Sequence, residues 1–147
     1  MPTPSEIIAT ALNPTLTLLL AGAPFYTPRP TPAWEFWARS VLSIGLAVVL
    51  AESGKRFEVW PGHPSFPSGH ESFALAAVVS LTVRDRRWLA LGLPLALLMS
   101  WALVDAHFHT PVDVAGAWFL APPCALLCQR VGRRRPGGGV GASLTEK

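Results

Sequence analysis

Five apolar segments follow one another along this chain, at residues 7–23, 36–52, 69–83, 88–107 and 112–129. A helix needs about 17 apolar residues at least to cross a bilayer, and each segment lies near that limit, the third being the shortest. Five in series leave little chain for a water-facing exterior. The sequence therefore predicts an all-α, polytopic membrane helical bundle with about five transmembrane helices.

Composition supports a membrane protein over a soluble helical bundle. Hydrophobic residues make up 50% and charged residues 14% of the 147 residues, whereas globular proteins carry about 25% charged residues. A soluble bundle would alternate polar and apolar helix faces, and few of these segments do so. We expect one integral membrane domain at residues 1–129 and a basic, disordered cytoplasmic tail at residues 130–147.

Basic residues predict the orientation in the membrane. Ten of the twelve Lys and Arg residues fall in the first connection, the third connection and the tail, which five spans place on one side. They are Arg29, Arg39, Arg84, Arg86, Arg87, Arg130, Arg133, Arg134, Arg135 and Lys147. Because positive residues favour the cytoplasmic side, the N-terminus is expected outside and the C-terminal tail inside the cell. The tail is expected to contact anionic lipid and not nucleic acid.

The opposite, outer side holds all the histidines. They are His63, His70, His107 and His109, and Lys55, Glu71, Asp105 and Asp113 lie on the same side. Ionisable residues gathered at one membrane face indicate a functional site. The alternative is that they are interfacial polar residues that extend towards water.

Two helix starts on this side carry capping patterns. Ser68 followed by Glu71 predicts an N-cap and its N3 partner. Thr110, Pro111 and Asp113 predict a second capping box with proline at the favoured first position. These patterns give the five residues a structural role.

Capping leaves His70, His109 and Gly69 without an explanation. A glycine at a helix start lets a ligand approach the backbone closely. Two helix N-termini on one face form a natural anion site, and Lys55 reaches the same face from the preceding segment. A phosphate is therefore the expected ligand.

These residues resemble a known family. Pro67-Ser68-Gly69-His70 is similar to the central signature of the type 2 phosphatidic-acid phosphatase superfamily, which includes lipid phosphate phosphatases, polyprenyl diphosphate phosphatases and vanadium haloperoxidases. His109, three residues and Asp113 are similar to the end of its third motif, and Val114-Ala115-Gly116 to the usual continuation. Lys55 fits the start of its first motif. The resemblance covers residues 55–116.

Two motif positions depart from that family. Gly62 and His63 stand where the first motif has Arg-Pro, and Ala102 and Leu103 stand where the third has Ser-Arg. Leucine cannot replace the bidentate contact of an arginine with phosphate. The remaining candidate sources of positive charge near Lys55 are His63, His107 and Arg56.

The resemblance implies that four of the five helices form a catalytic bundle, and it implies a mechanism and a set of site residues. Hydrolysis of a lipid phosphate or diphosphate, of phosphatidate type or polyprenyl diphosphate type, would proceed through a phosphohistidine at the outer membrane face. His109 would be the nucleophile, Asp113 would orient it and His70 would be the general acid and base. The implied substrate-binding residues are Lys55, Ser68, Gly69, His63 and Arg56. No cofactor or metal is implied, the partners are the lipid substrate and the bilayer, and the oligomeric state is left open.

Two other classes of function stay open. One is a metal-dependent membrane enzyme or transporter, with ligands drawn from Asp105, His107, His109, His63 and Glu71. The other is a non-catalytic relative that binds or handles a lipid, which the missing arginines favour. Metal content would test the first, and phosphate release from lipids would test the second.

Overall fold

The computed structural model describes residues 1–27 and 31–131. Within them the chain forms five α-helices and no strand: α1 (Pro4–Tyr26), α2 (Ala33–Arg56), α3 (Gly69–Arg84), α4 (Trp88–Asp105) and α5 (Pro111–Arg130). The predicted all-α bundle is confirmed. Arg29 and most of the predicted tail, including Arg133, Arg134, Arg135 and Lys147, lie outside the described residues.

Four of these helices are long and apolar enough to cross a membrane: α1, α2, α4 and α5. Helix α3 has 16 residues, and eleven of them are buried. It packs against all four other helices. Alanines such as Ala74, Ala76 and Ala77 are fully buried there, and small residues let neighbouring helices approach closely. The shortest apolar segment is thus the central helix of the bundle.

Two helices are longer than the apolar pattern predicts. Helix α1 begins early because Thr3 and Glu6 form a capping box, in which the Thr3 amide donates to the Glu6 carboxylate at 2.6 Å. Helix α2 continues past Glu52 to Arg56. This extra turn places Lys55 on a helix instead of in a loop.

Polar contacts fix the end of the bundle opposite the histidines. The buried Arg84 guanidinium donates to the carbonyls of Thr27, at 3.0 Å, and Thr31, at 3.1 Å. It also lies over the Phe36 ring, 5.3 Å from the centroid. Arg84 therefore joins the end of α3 to the α1–α2 connection, which agrees with their predicted placement on one side.

The connection between α2 and α3 passes close to two glycines. A Cβ added to Gly116 would lie 2.6 Å from Cζ of Phe66, and one added to Gly54 would lie 2.7 Å from Cδ of Pro67. Real Cβ atoms do not approach other atoms so closely, so a side chain at either position would force its neighbour to move. These close contacts hold Phe66 and Pro67 between α2 and α5, directly before Ser68.

Candidate active site

The start of α3 is held against the start of α5. The Ser68 side chain accepts a hydrogen bond from the Glu71 amide at 3.3 Å and caps α3 as predicted. The Ser68 amide donates to the Asp113 carbonyl at 2.9 Å. Two helix N-termini therefore lie side by side, and both direct amide groups and positive dipole ends towards one region.

The second capping box is confirmed in full. Thr110 accepts from the Asp113 amide at 3.3 Å, and the Thr110 amide donates to Oδ2 of Asp113 at 2.9 Å. Pro111 occupies the first helical position. This cap holds the Asp113 carboxylate at the base of the loop that carries His109.

The two signature histidines face each other at this point. Their ring centroids are 6.2 Å apart, with His70 exposed and only 8% of the His109 side chain exposed. Nδ1 of His109 lies 3.7 Å from Oδ2 of Asp113, which is longer than a hydrogen bond. Within the described part of the chain, this nitrogen has no hydrogen-bond partner. A small movement of the ring would complete the contact with Asp113.

The surroundings of His109 favour its neutral form. Burial of the ring, followed by the positive charges of Lys55 and His70, lowers the pKa of His109 from its usual value of 6.5, while Asp113 opposes this shift. A neutral imidazole has the lone pair that a nucleophile requires.

Lys55 lies beside the α3 N-terminus together with an acidic neighbour that the sequence interpretation missed. Its Nζ is 2.7 Å from Oε1 of Glu52. A Cβ placed on Gly69 would lie 2.8 Å from that same oxygen and 3.5 Å from Nζ of Lys55. Glycine at position 69 thus leaves room for a carboxylate and an ammonium group in front of the helix. The spacing of three residues between Glu52 and Lys55 was the available signal for their pairing.

His63 is placed next to Asp113. Its Nδ1 lies 3.8 Å from Oδ1 of Asp113 and 3.5 Å from Oγ1 of Thr110. An open pocket of about 430 Å³ is lined by His63, His107, His109 and Asp113 among other residues. The structure therefore gathers three of the four histidines around one pocket, and two of them, His63 and His109, lie within 4 Å of the Asp113 carboxylate. Arg56 is exposed and does not line this pocket.

The two positions that depart from the third motif are fully buried. Ala102 and Leu103 have no exposed surface. The Leu103 carbonyl accepts from the amides of Phe108, at 3.0 Å, and His109, at 3.1 Å. Leu103 therefore holds the loop of His109 through its backbone, while its side chain packs in the core.

The predicted role of the Glu71 carboxylate as the second half of a capping box is wrong. The Ser68 amide that it was expected to accept from is already bonded to Asp113. Glu71 is instead fully buried, and its Oε1 accepts from Oγ of Ser100 at 2.8 Å, which in turn accepts from Nε1 of Trp118 at 3.0 Å. This chain of contacts joins α3, α4 and α5 beneath the site. A serine inside the apolar segment 88–107 was the signal that the sequence offered.

The described residues include no group of three or more His, Cys, Asp or Glu side chains able to hold a metal ion. Of the ligands considered for a metal site, Asp105 and His107 are exposed near the end of α4. Glu71 lies in the bundle interior.

Comparisons with known proteins give the chain a family. An undecaprenyl-diphosphatase of Sulfolobus acidocaldarius is 30% identical over 97 residues, which cover 54% of this chain and 47% of that relative. The match thus spans about half of the relative's length, and no solved structure matches the chain. The sequence profile of the PAP2 superfamily matches residues 7–136, which is most of the chain. The protein therefore belongs to the PAP2 superfamily, a family of phosphatases that includes lipid phosphatases.

Proposed function

We propose that the protein hydrolyses a membrane lipid phosphate or diphosphate through a phosphohistidine at the outer membrane face. The observation that carries this proposal is the meeting of His109, Asp113 and His70 at two adjacent helix N-termini. Membership of the PAP2 superfamily and the similarity to an undecaprenyl-diphosphatase support a phosphatase with a lipid substrate.

The proposed reaction has two steps. Nε2 of His109 attacks phosphorus, the bond from phosphorus to the leaving oxygen breaks, and His70 gives that oxygen a proton. Water then attacks the phosphohistidine as His70 takes its proton, which releases phosphate and restores Nε2. Asp113 stabilises the positive ring through Nδ1, as an orienting carboxylate does in a catalytic triad. Dividing one displacement into two lowers the barrier of each.

Charge on the phosphoryl oxygens is balanced by the surroundings in this proposal. The Lys55 ammonium and the amides at the start of α3, including that of Gly69, stabilise charge that develops in the transition state. Ser68 is fully buried and acts by fixing the direction of those amides. His63 borders the Asp113 side of the pocket. Arg56, at the exposed end of α2, acts through long-range attraction of the anionic headgroup.

Phosphate release from a lipid panel tests the proposed function. Purified protein would be assayed with phosphatidate, lysophosphatidate, phosphatidylglycerophosphate and a polyprenyl diphosphate, with and without a chelator. We expect release from at least one lipid and no effect of the chelator, because protein groups perform every step. Release that the chelator stops and a divalent metal restores would favour the metal-dependent alternative.

A non-catalytic lipid-binding protein is the second candidate. It is favoured by the buried apolar side chains of Ala102 and Leu103 at positions where the family has a serine and an arginine. Such a protein would bind the phosphorylated lipids of the panel and release no phosphate from any of them.

The orientation of the protein in the membrane is a separate prediction. After removal of Cys124 and Cys128, a Pro64→Cys variant in intact cells should react with a membrane-impermeant thiol reagent, and an Arg86→Cys variant should not. The reason is that basic connections stay on the cytoplasmic side. Both positions are exposed, so the pair is matched. The opposite labelling pattern would place the site at the cytoplasmic face.

A further inference from the structure

An apolar groove of about 740 Å³ runs between α2 and α5. Its walls include Leu50 of α2, Val112 and Phe119 of α5, and Phe57, Trp60 and Phe66 of the α2–α3 connection. Along α5 it extends from Val112 to Leu120. Eight helical steps correspond to about 12 Å, so the groove runs along α5 for about two turns.

The groove borders the segment that leads into the candidate active site. Gly54 and Pro67 line it, and the residues that follow them are Lys55 and Ser68. The close contacts at Gly54 and Gly116 seat Pro67 and Phe66 between the two helices. A molecule in the groove therefore lies against the segment that leads into α3, and Gly69, two residues after Pro67, is next to the Lys55 ammonium.

The groove also opens towards the surroundings of the bundle. Phe57 is 75% exposed and Phe119 is 84% exposed. Aromatic side chains of this kind line most sites for apolar ligands. Phe119 lies on α5 and Phe57 directly follows α2, and both helices are long and apolar enough to cross the membrane. A lipid chain can therefore enter from the side without passing through water.

We propose that this groove binds the apolar chain of the phosphorylated lipid, while its phosphate lies at Lys55 and the α3 N-terminus. This inference rests on the proposed function. One amphiphile then satisfies both halves of the site, since the apolar groove and the cation are adjacent. Because the chain comes from an equally apolar bilayer, packing and not the hydrophobic effect provides the selectivity.

A groove-filling substitution tests this proposal by kinetics. Leu120→Trp would be compared with Leu18→Trp, which makes the same change at a 74% exposed position of α1. The quantity to measure is the KM for a long polyprenyl phosphate divided by the KM for a five-carbon prenyl phosphate. We expect Leu120→Trp to raise this ratio by about tenfold, as changes in apolar pockets do. Leu18→Trp should leave that ratio unchanged. Equal ratios in the two variants would overturn the proposal.

Photocrosslinking tests the groove without turnover. A photoreactive phenylalanine analogue would replace Phe119 or, as a control, the similarly exposed Phe25 of α1, in phosphatidylcholine vesicles that contain labelled polyprenyl phosphate. We expect the analogue that replaces Phe119 to crosslink to the labelled lipid. Excess polyprenyl phosphate should suppress this crosslink, and the matching polyprenol should not. Labelling of both positions alike, or labelling that neither competitor suppresses, would mean that bulk lipid fills the groove and would overturn the proposal. Equal suppression by polyprenol would overturn the part of the proposal that joins the groove to the phosphate at Lys55.

The two readouts separate the two proposals. The protein could release no phosphate while labelling at the groove still depends on the phosphate group of the lipid. That result would overturn the proposed phosphatase activity and leave the proposed lipid site in place. Phosphate release without selective labelling would overturn the groove alone.

Discussion

His109→Ala is expected to abolish phosphate release. Loss of a nucleophile leaves only binding and electrostatic stabilisation, so we expect the rate to fall by at least about a thousandfold. Asp113→Asn should reduce the rate less completely, although it also disturbs the cap of α5 that Asp113 shares with Thr110. Thermal unfolding of both variants in detergent would show whether they remain folded.

Trapping the intermediate distinguishes a nucleophile from a merely structural histidine. Wild-type protein mixed with substrate and quenched should carry an acid-labile phosphohistidine, and His109→Ala should not. Full activity in His109→Ala would rule out the proposed mechanism.

The pH profile of kcat/KM, which reports the free enzyme, gives an independent check on His109. Burial and the charge of Lys55 lower the pKa of His109 below 6.5, so the neutral, nucleophilic form persists below that pH. The acidic fall in kcat/KM that is due to His109 should therefore lie below pH 6.5. The same shift affects stability, because the folded state binds fewer protons at this group than the unfolded state, and the stability contribution is lost as the pH falls through the same range.

The helix starts of the site were predictable from sequence because caps are local. Ser68 and Thr110 precede partners three residues away, and the structure places both as N-caps. Proline before α3 and at the start of α5 reinforces the same signal. The grouping of the histidines also followed from sequence, since a fixed number of spans assigns each connection to one side.

The contacts between helices were not predictable in the same way. The Glu71 carboxylate does not form its expected capping contact with the Ser68 amide. That amide already donates a hydrogen bond to the carbonyl of Asp113, which is distant in the chain. Its partner Ser100 lies 29 residues away in the chain. Such competition depends on how α3, α4 and α5 pack, and no local pattern encodes that packing. Ala102 and Leu103 stand where the motif has serine and arginine. Only the structure explains these two residues, because it buries both in the core.

Gly116→Ala is expected to have a large effect on stability and activity, because the new methyl group would lie 2.6 Å from Cζ of Phe66. The ring must move away, and overpacking of this kind costs about 1–3 kcal/mol. Movement of Phe66 displaces Pro67 and then Ser68, so the α3 N-terminus would shift and phosphate release should fall. Gly45→Ala is the matched control, since nothing lies within 4 Å of its added Cβ, and replacing a helical glycine there should raise stability by about 0.5–1 kcal/mol.

A second substitution shows whether the clash with Phe66 is the cause. Phe66→Ala alone removes a ring from the contact with α5 and should destabilise the protein by up to about 3–5 kcal/mol. In the Gly116→Ala, Phe66→Ala double variant the methyl group has no ring to displace, so the two costs should not add, and a coupling energy of about 0.5–3 kcal/mol is expected. Unfolding midpoints of the four proteins measure that coupling. Additive costs, or a Gly116→Ala variant as stable as Gly45→Ala, would mean that the Phe66 contact with α5 does not position the start of α3.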